Sequence, residues 1–444
     1  MPIRAVFTTT SATLDKPCRS RSHSRRVVAL VCAGWLPAGG GLWHSSRVVT
    51  NWAGNVTFGA ARIHRPESVE SLRRIVASSG RIRALGTAHS FSLVADTSYD
   101  LVCLDRLPRS VEIDAVSSTA TVAAGMRYAD VAAELHRAGY ALATLASLPH
   151  ISVAGSCATG THGSGRQSLA AAVRSLRLVT PDGDLFEPDR AGSVVALGAL
   201  GVVTHVTLDV EPTFEMAQRV HVDVPLDDIV LDEVFGAAYS VSVFTDWRSS
   251  AAVWLKYRTD QPVPSWSLGR ATSHAVHPVP GASPEFCTEQ LGVPGPWHER
   301  LPHFRAEFTP SAGDELQSEF FVASVDAPAA FAAIRSMGDL IAPVVHIAEI
   351  RSVRADDLWL SPAYGRDSVT FHFTWIADST AVAPVLAAVE ERLMPLGARP
   401  HWGKLSTASD VIGRYSRAGD FARLMREFDP TGKFRNPYVD SLFP

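Results

Sequence analysis

The chain has no CxxC pair. Its five cysteines, Cys18, Cys32, Cys103, Cys157 and Cys287, are scattered and odd in number, which fits neither a disulfide scaffold nor a zinc site and suits a reducing compartment. Charge of one sign is not in excess: 41 Lys and Arg against 45 Asp and Glu leave a formal net charge of −4. Nucleic acid is therefore not the expected partner. No apolar run is long enough to span a membrane. No GxGxxG joins a strand to a helix, which argues against a Rossmann dinucleotide domain. Charged residues make up only 19% of a 444-residue chain that is 46% hydrophobic. That is a globular composition, not a disordered one, with core enough for two or three domains.

Acids are nearly missing from the start. Arg4, Lys16, Arg19, Arg21, Arg25 and Arg26 face only Asp15, and an apolar run from Val27 to Leu36 follows. "SRRVVAL" resembles a partial twin-arginine export signal, although no clear cleavage site comes after it. Residues 1–47 are set apart as a basic and apolar extension, signal-like or foreign to the functional protein, whose translation is then expected to begin near Val48 or Val49. The expected location is cytoplasmic, with export through this signal as the alternative.

Beyond it, "HRPESVESLRRIVASSG" predicts a helix over 64–80. Pro66 falls in its first turn, Val69, Leu72, Ile75 and Val76 share a face, and Gly80 ends it. "RIRALGTAHSF" follows: Ile82, Ala84 and Leu85 read as a strand, Gly86 as a turn, and His89 on its own as a cap, a metal ligand or a base. A strand over 120–126, a helix over 128–142, and a hairpin over 175–187 around Pro181-Asp182-Gly183 come next. A long strand over 201–212 puts Val202, Thr204, Val206, Leu208 and Val210 on one side. The first half reads as mixed α+β with antiparallel elements. After Pro212 the composition shifts: Trp247, Trp254, Trp266 and Trp297 gather and 261–284 is loop-rich, before helices over 326–340 and 381–394. The expected domains are 48–212, 213–400 and a closing segment 401–444.

Three stretches carry chemistry. "SLPHISVAGSCATGTHGSG" (147–165) sets Gly155, Gly160, Gly163 and Gly165 among Ser152, Ser156, Thr159, Thr161 and Ser164. Such a loop lets backbone N–H groups approach an anion such as a pyrophosphate; a tight crossing through the core is the alternative. In "HIAEIRSV", strand alternation puts Glu349 and Arg351 on one face, over a site or as a surface pair. In "SVTFHFTW", Thr370, His372 and Thr374 oppose Val369, Phe371, Phe373 and Trp375, a polar face that lines a cavity or meets solvent. "HWGKL" adds Lys404, solvated or projecting into a site.

Taken in order, "GTAHSF", the glycine-rich block, "EIR", "HFTW", "HWGKL" and the C-terminal "FDPTGKFRNPY" resemble the vanillyl-alcohol-oxidase-type flavoenzymes, and within them the alditol (xylitol) oxidases, relatives of the aldonolactone oxidases. The likeness spans residues 48–444. It implies an α+β fold: a two-subdomain (PCMH-like) FAD-binding domain, an α+β substrate-binding cap domain, and a chain end that returns to the cofactor. It implies FAD joined covalently to His89. Leu85, Gly86, Thr87, Ala88, His89 and Ser90 would follow the flavin; Ser147, Ser152, Gly155, Thr159, Gly160, Thr161 and His162 would hold its ring edge and diphosphate, and Val203 would touch it from the long strand. Ser147, Glu349, Arg351, Thr374 and Lys404 would bind substrate. Catalysis would fall to Glu349, Arg351, His372 and Lys404, with no metal. The implied reaction takes a polyol and O2 to an aldose and hydrogen peroxide, in a monomer without membrane or nucleic-acid partner.

Ala88 stands where a bulkier or charged neighbour of His89 is expected, Cys157 reads as a small buried thiol, and Ala146 lies near where oxygen access is set in such folds. An aldonolactone oxidase or dehydrogenase is the neighbouring alternative. A carbohydrate-binding flavoprotein scaffold without redox activity is the alternative of another class.

Overall fold

In the computed structural model, which describes residues 49–248, 250–307 and 313–444, the expected extension over 1–47 lies outside the described residues. The chain first builds a small sheet in which Asp100–Cys103 lies between Arg62–His64 and Ile82–Leu85, both parallel to it. This departs from the antiparallel expectation. Strands of three and four residues are too short to show alternation, and the helix between the outer two supplies the crossover that parallel pairing needs. That helix runs Val69–Ser78. Ser68 caps it by accepting from the Ser71 N–H, so Pro66 stands outside the first turn. Leu72 and Val76 face the core.

A second, antiparallel sheet follows in the order Val111–Asp114, Thr119–Ala123, Val202–Asp209, Val173–Val179, Leu185–Phe186. Along Val202–Asp209 the buried positions alternate as Val202, Thr204, Val206 and Leu208. Gly183 takes the left-handed conformation in the expected hairpin turn. The helix Tyr128–Arg137 stops short of residue 142 because left-handed Gly139 ends it. Tyr140–Ala141 then pairs with Glu211–Pro212.

The third sheet is larger. Among the described residues its order is Arg270–Ala271, Glu215–Pro225, Ser250–Arg258, Ser240–Thr245, Val345–Val353, Ser368–Ile376, Glu315–Ala323, Arg399–Pro400. Val243, Phe320, Ile350, Phe371 and Phe373 form an apolar face, which shares one core with side chains of the helices Ala327–Arg335 and Ser379–Leu393. The helix expected over 326–340 breaks in two at Ser336 and Met337, resuming at Gly338–Ile341, where Gly338 packs on the Trp247 carbonyl with no room for a Cβ. The opposite face of the three central strands carries the polar residues, buried nonetheless.

The C-terminal segment is pinned to the first sheet. From Ile82–Leu85, Arg83 reaches the carbonyls of Leu197, Gly198 and Phe434 at 2.6, 2.9 and 2.7 Å, and that of Val94. Lys433 donates to the carbonyls of Val76 and Pro181 at 2.9 and 2.6 Å. The end of the chain is thereby fixed beside the strand that leads into "GTAHSF". Among the described residues no helix is long and apolar enough to cross a membrane.

Candidate active site

Glycine at position 86 proves to be about approach rather than a turn. A Cβ there would collide with Ser152 Oγ, and one on Gly155 would lie 2.8 Å from the same atom. Two backbones thus meet across one serine, and the Ser152 N–H donates to Thr87 Oγ1 at 3.1 Å. The left-handed residue is Ala88, at φ 56°. This accounts for alanine where a bulkier side chain was expected: a β-branched or large residue is strained there. The kink presents His89, whose ring stacks on Trp52 at 5.6 Å and 20°. The loop is held by the Trp52 N–H on the Ala88 carbonyl at 2.8 Å and by Asn51 Nδ2 on the Ser90 carbonyl at 2.9 Å. Both His89 ring nitrogens are buried without a well-formed hydrogen bond. Burial, with His150 nearby, lowers its pKa to about 4, so the ring is neutral and a nitrogen lone pair is available.

The glycine-rich run is not all loop, since Val153–Ala158 forms a short helix. Thr159 Oγ1 donates to the Gly155 carbonyl at 3.1 Å and lies 3.2 Å from Thr161 Oγ1. Gly163 has no space for a side chain, because a Cβ would strike the Leu145 carbonyl and lie 2.5 Å from Thr144 Oγ1. Gly163→Ala is expected to cost about 1–3 kcal/mol in urea unfolding. Gly86→Ala should cost less, because the Ser152 hydroxyl can rotate away; equal losses would count against this packing. Cys157 lies 3.5 Å from the Tyr128 hydroxyl, and burial pushes its thiol up to about 11, so it is a protonated buried thiol at neutral pH. Val203 lines an apolar cleft with Ala154, Cys157 and Gly198, none of them part of the polar cluster described next.

That cluster lies on the polar face of the large sheet. Strand register sets Glu319, His372 and Glu349 side by side, with Arg351 two residues further along. Glu349 and Arg351 are 4% and 5% exposed, which rules out a surface pair. Arg351 donates to Glu319 at 2.7 Å and to Ser147 Oγ at 3.4 Å, with Nε 3.5 Å from Glu349. Glu349 takes His303 Nε2 at 2.9 Å, and His372 Nδ1 lies 3.6 Å away. Lys404 is partly buried rather than solvated, its Nζ 2.7 Å from Glu319. It is delivered beside His89: the Phe91 N–H donates to the Gly403 carbonyl at 2.7 Å, and Ser92 Oγ to that of Trp402 at 2.7 Å. The glycine-rich run meets the same sheet, through the Gly165 N–H on the Ser352 carbonyl at 2.9 Å and through His162 Nε2, 3.1 Å from Glu319. Thr374 is two residues from His372 on the same face and partly exposed.

Burial alone would raise the carboxyls of Glu319 and Glu349. Lys404, His162 and Arg351 around the first, and Arg351 and His303 around the second, instead hold both well below the ordinary range. Burial and the charge of Lys404 lower His372 to about 4; its Nδ1 is turned to Glu349 just beyond hydrogen-bond length, and its Nε2 is buried without a partner. Sequence reading passed over Glu319 and His303. The carboxylate enclosed in the apolar "SEFFVA" was a signal for the first; His303, in a loop, had none. Among the described residues no group of three or more His, Cys, Asp or Glu is placed to hold a metal ion.

The residues present fit a flavin cofactor: a Cβ-free contact at Gly86 and Gly155, an orphaned neutral histidine at the kink, and a buried polar cluster that carries Arg351 and Lys404. Residues 60–188 match the family described as FAD binding domain, and residues 316–442 the one described as D-arabinono-1,4-lactone oxidase. In fold the chain is similar to a solvent-stable cholesterol oxidase, with a TM-score of 0.74 at 14% identity over 89% of this chain and 97% of that one. The fold and these matches define an FAD-dependent oxidoreductase of the vanillyl-alcohol-oxidase type. The chain is 49% identical to an alditol oxidase of Streptomyces sp. over 89% of its own length and 99% of the relative's, and it belongs to the alditol oxidase family. An L-gulono-1,4-lactone dehydrogenase of Mycobacterium tuberculosis is 26% identical over 89% of this chain and 98% of that one.

Proposed function

We propose that the protein oxidises the terminal hydroxyl of an alditol such as xylitol or sorbitol to the aldose, using FAD attached at His89 and reducing O2 to hydrogen peroxide. A monomer acting in the cytoplasm accompanies this reading. The observation that carries it is the buried row of Glu349, His372 and Glu319, with Arg351 and Lys404, on the sheet face that meets the glycine-rich run.

A polyol offers only hydroxyls, so it must be held by directed hydrogen bonds. Glu349, ionised and oriented by His303, accepts from chain hydroxyls. Ser147 and Thr374 add hydroxyl partners. His372, neutral and with Nε2 unpartnered, accepts the proton of the reacting hydroxyl at that nitrogen. Arg351 and Lys404 supply positive charge where alkoxide character develops. Leu85 to Ser90, Ser152, Gly155, Thr159 to His162 and Val203 would hold the cofactor. FAD, when bound, supplies the hydride acceptor and passes the electron pair to oxygen.

The match of residues 316–442 to a lactone oxidase family favours a second reading, oxidation of a sugar lactone. Anaerobic addition of xylitol or of L-gulono-1,4-lactone to the yellow protein separates the two: bleaching by xylitol is expected, and bleaching by the lactone alone would replace the proposal. Acid denaturation tests the linkage. Flavin absorbance should stay with the peptide that contains His89, whereas flavin released to the supernatant would remove the covalent role.

A further inference from the structure

Every cation of the site touches a carboxylate to which the proposed reaction gives no role. Glu319 is 1% exposed. Its Oε2 takes Lys404 Nζ at 2.7 Å, and its Oε1 takes Arg351 Nη2 at 2.7 Å with His162 Nε2 at 3.1 Å. Its backbone is joined to the Lys404 segment as well: the His401 N–H donates to the Glu319 carbonyl at 2.9 Å, and the Leu405 N–H to that of Gln317 at 2.9 Å. Desolvation drives the Lys404 ammonium, its side chain 14% exposed, toward the neutral form, and Glu319 is the only carboxylate in contact with it among the described residues.

We propose that Glu319 is a positioning residue, which aims Lys404 and Arg351 at the reacting atoms and keeps the Lys404 ammonium protonated inside a water-poor site. This rests on the proposed reaction for the use of that charge, but not for its existence. Glu349, Arg351, His162, His372 and His401 also face the group. Burial pushes Lys404 down first, Glu319 opposes it, Arg351 pushes down again, and Glu349 gives weaker support. Removing the Glu319 charge therefore moves Lys404 deprotonation to lower pH.

The test compares the holoenzyme with Glu319→Gln, Glu319→Asp and Glu319→Gln/Lys404→Met. The first readout needs no substrate: the absorbance of the bound flavin is titrated from neutral to alkaline pH. Glu319→Gln is expected to show a transition missing from the wild type and from the double variant, because the charge beside the cofactor loop is lost. Glu319→Asp, which keeps the charge on a shorter arm, should show it at higher pH than Glu319→Gln. In turnover, kcat/KM of Glu319→Gln should fall by about tenfold per pH unit above that transition, as loss of one required proton demands. Superimposable titrations of Glu319→Gln and wild type would overturn the proposal. If Glu319→Gln fails to fold, a Glu319→Asp titration identical to wild type would overturn it too. A wild type that turns over no alditol would refute the proposed substrate while leaving the spectral test intact.

Discussion

Replacing His372 with alanine is expected to lower kcat on an alditol by about 10²–10⁴-fold, the usual worth of a positioned general base. Flavin content and visible spectrum should be unchanged, because His372 stands on the large sheet between Glu319 and Glu349, not on the cofactor loop. The pH dependence follows from the same side chain. Its pKa is depressed from 6.5 to about 4, so the ring stays an acceptor down to that value. The wild-type kcat/KM should hold as pH falls through 6.5 and drop only as it approaches 4, where the ring takes a proton. An acid limb centred on 6.5, or an alanine variant within a few-fold of wild type, would reassign the base.

Arg351→Met should act on stability as much as on catalysis. Arg351 is the cation shared by Glu319 and Glu349, all three nearly fully buried. Its loss leaves Glu349 without the charge that most lowers its pKa. Breaking a buried ion pair from one side costs about 3–5 kcal/mol, a large fraction of a typical folding free energy. Urea unfolding should report this, with KM raised for substrate. The double variant Glu349→Gln/Arg351→Met should lose less than the sum of the singles, because the uncompensated charge disappears with its partner. Strict additivity would mean the two side chains do not act as one unit.

The parts of this molecule legible in its sequence share one property: each is a regular alternation or a rigid backbone demand. Ser368–Ile376 separates His372 and Thr374 from Phe371 and Phe373 by period alone, and Val202–Asp209 does the same. Whether the polar face met solvent or a site could not be read, because strand period fixes which side a residue takes, not what covers it. The parallel first sheet escaped for a related reason, since pairing partners lie far apart in sequence and the strands are short. Gly86 was legible as special but not for its cause: the crowding comes from Ser152, 66 positions away by their numbers, while the positive φ falls on Ala88.

By itself, then, the sequence determined the local pieces: faces of strands, capped helices, a glycine-rich run, and a histidine set at a kink. Tertiary structure decided what those pieces do together. Only the register of three adjacent strands aligns Glu319, His372 and Glu349. Only the return of the C-terminal segment seats Lys404 beside the loop of His89. Burial then turns ordinary surface chemistry into a site, because removing water makes each charge depend on its partners. Glu319 shows this most plainly: a strand carboxylate, ionised and consequential because Arg351, Lys404 and His162, from three separate stretches of chain, converge on it.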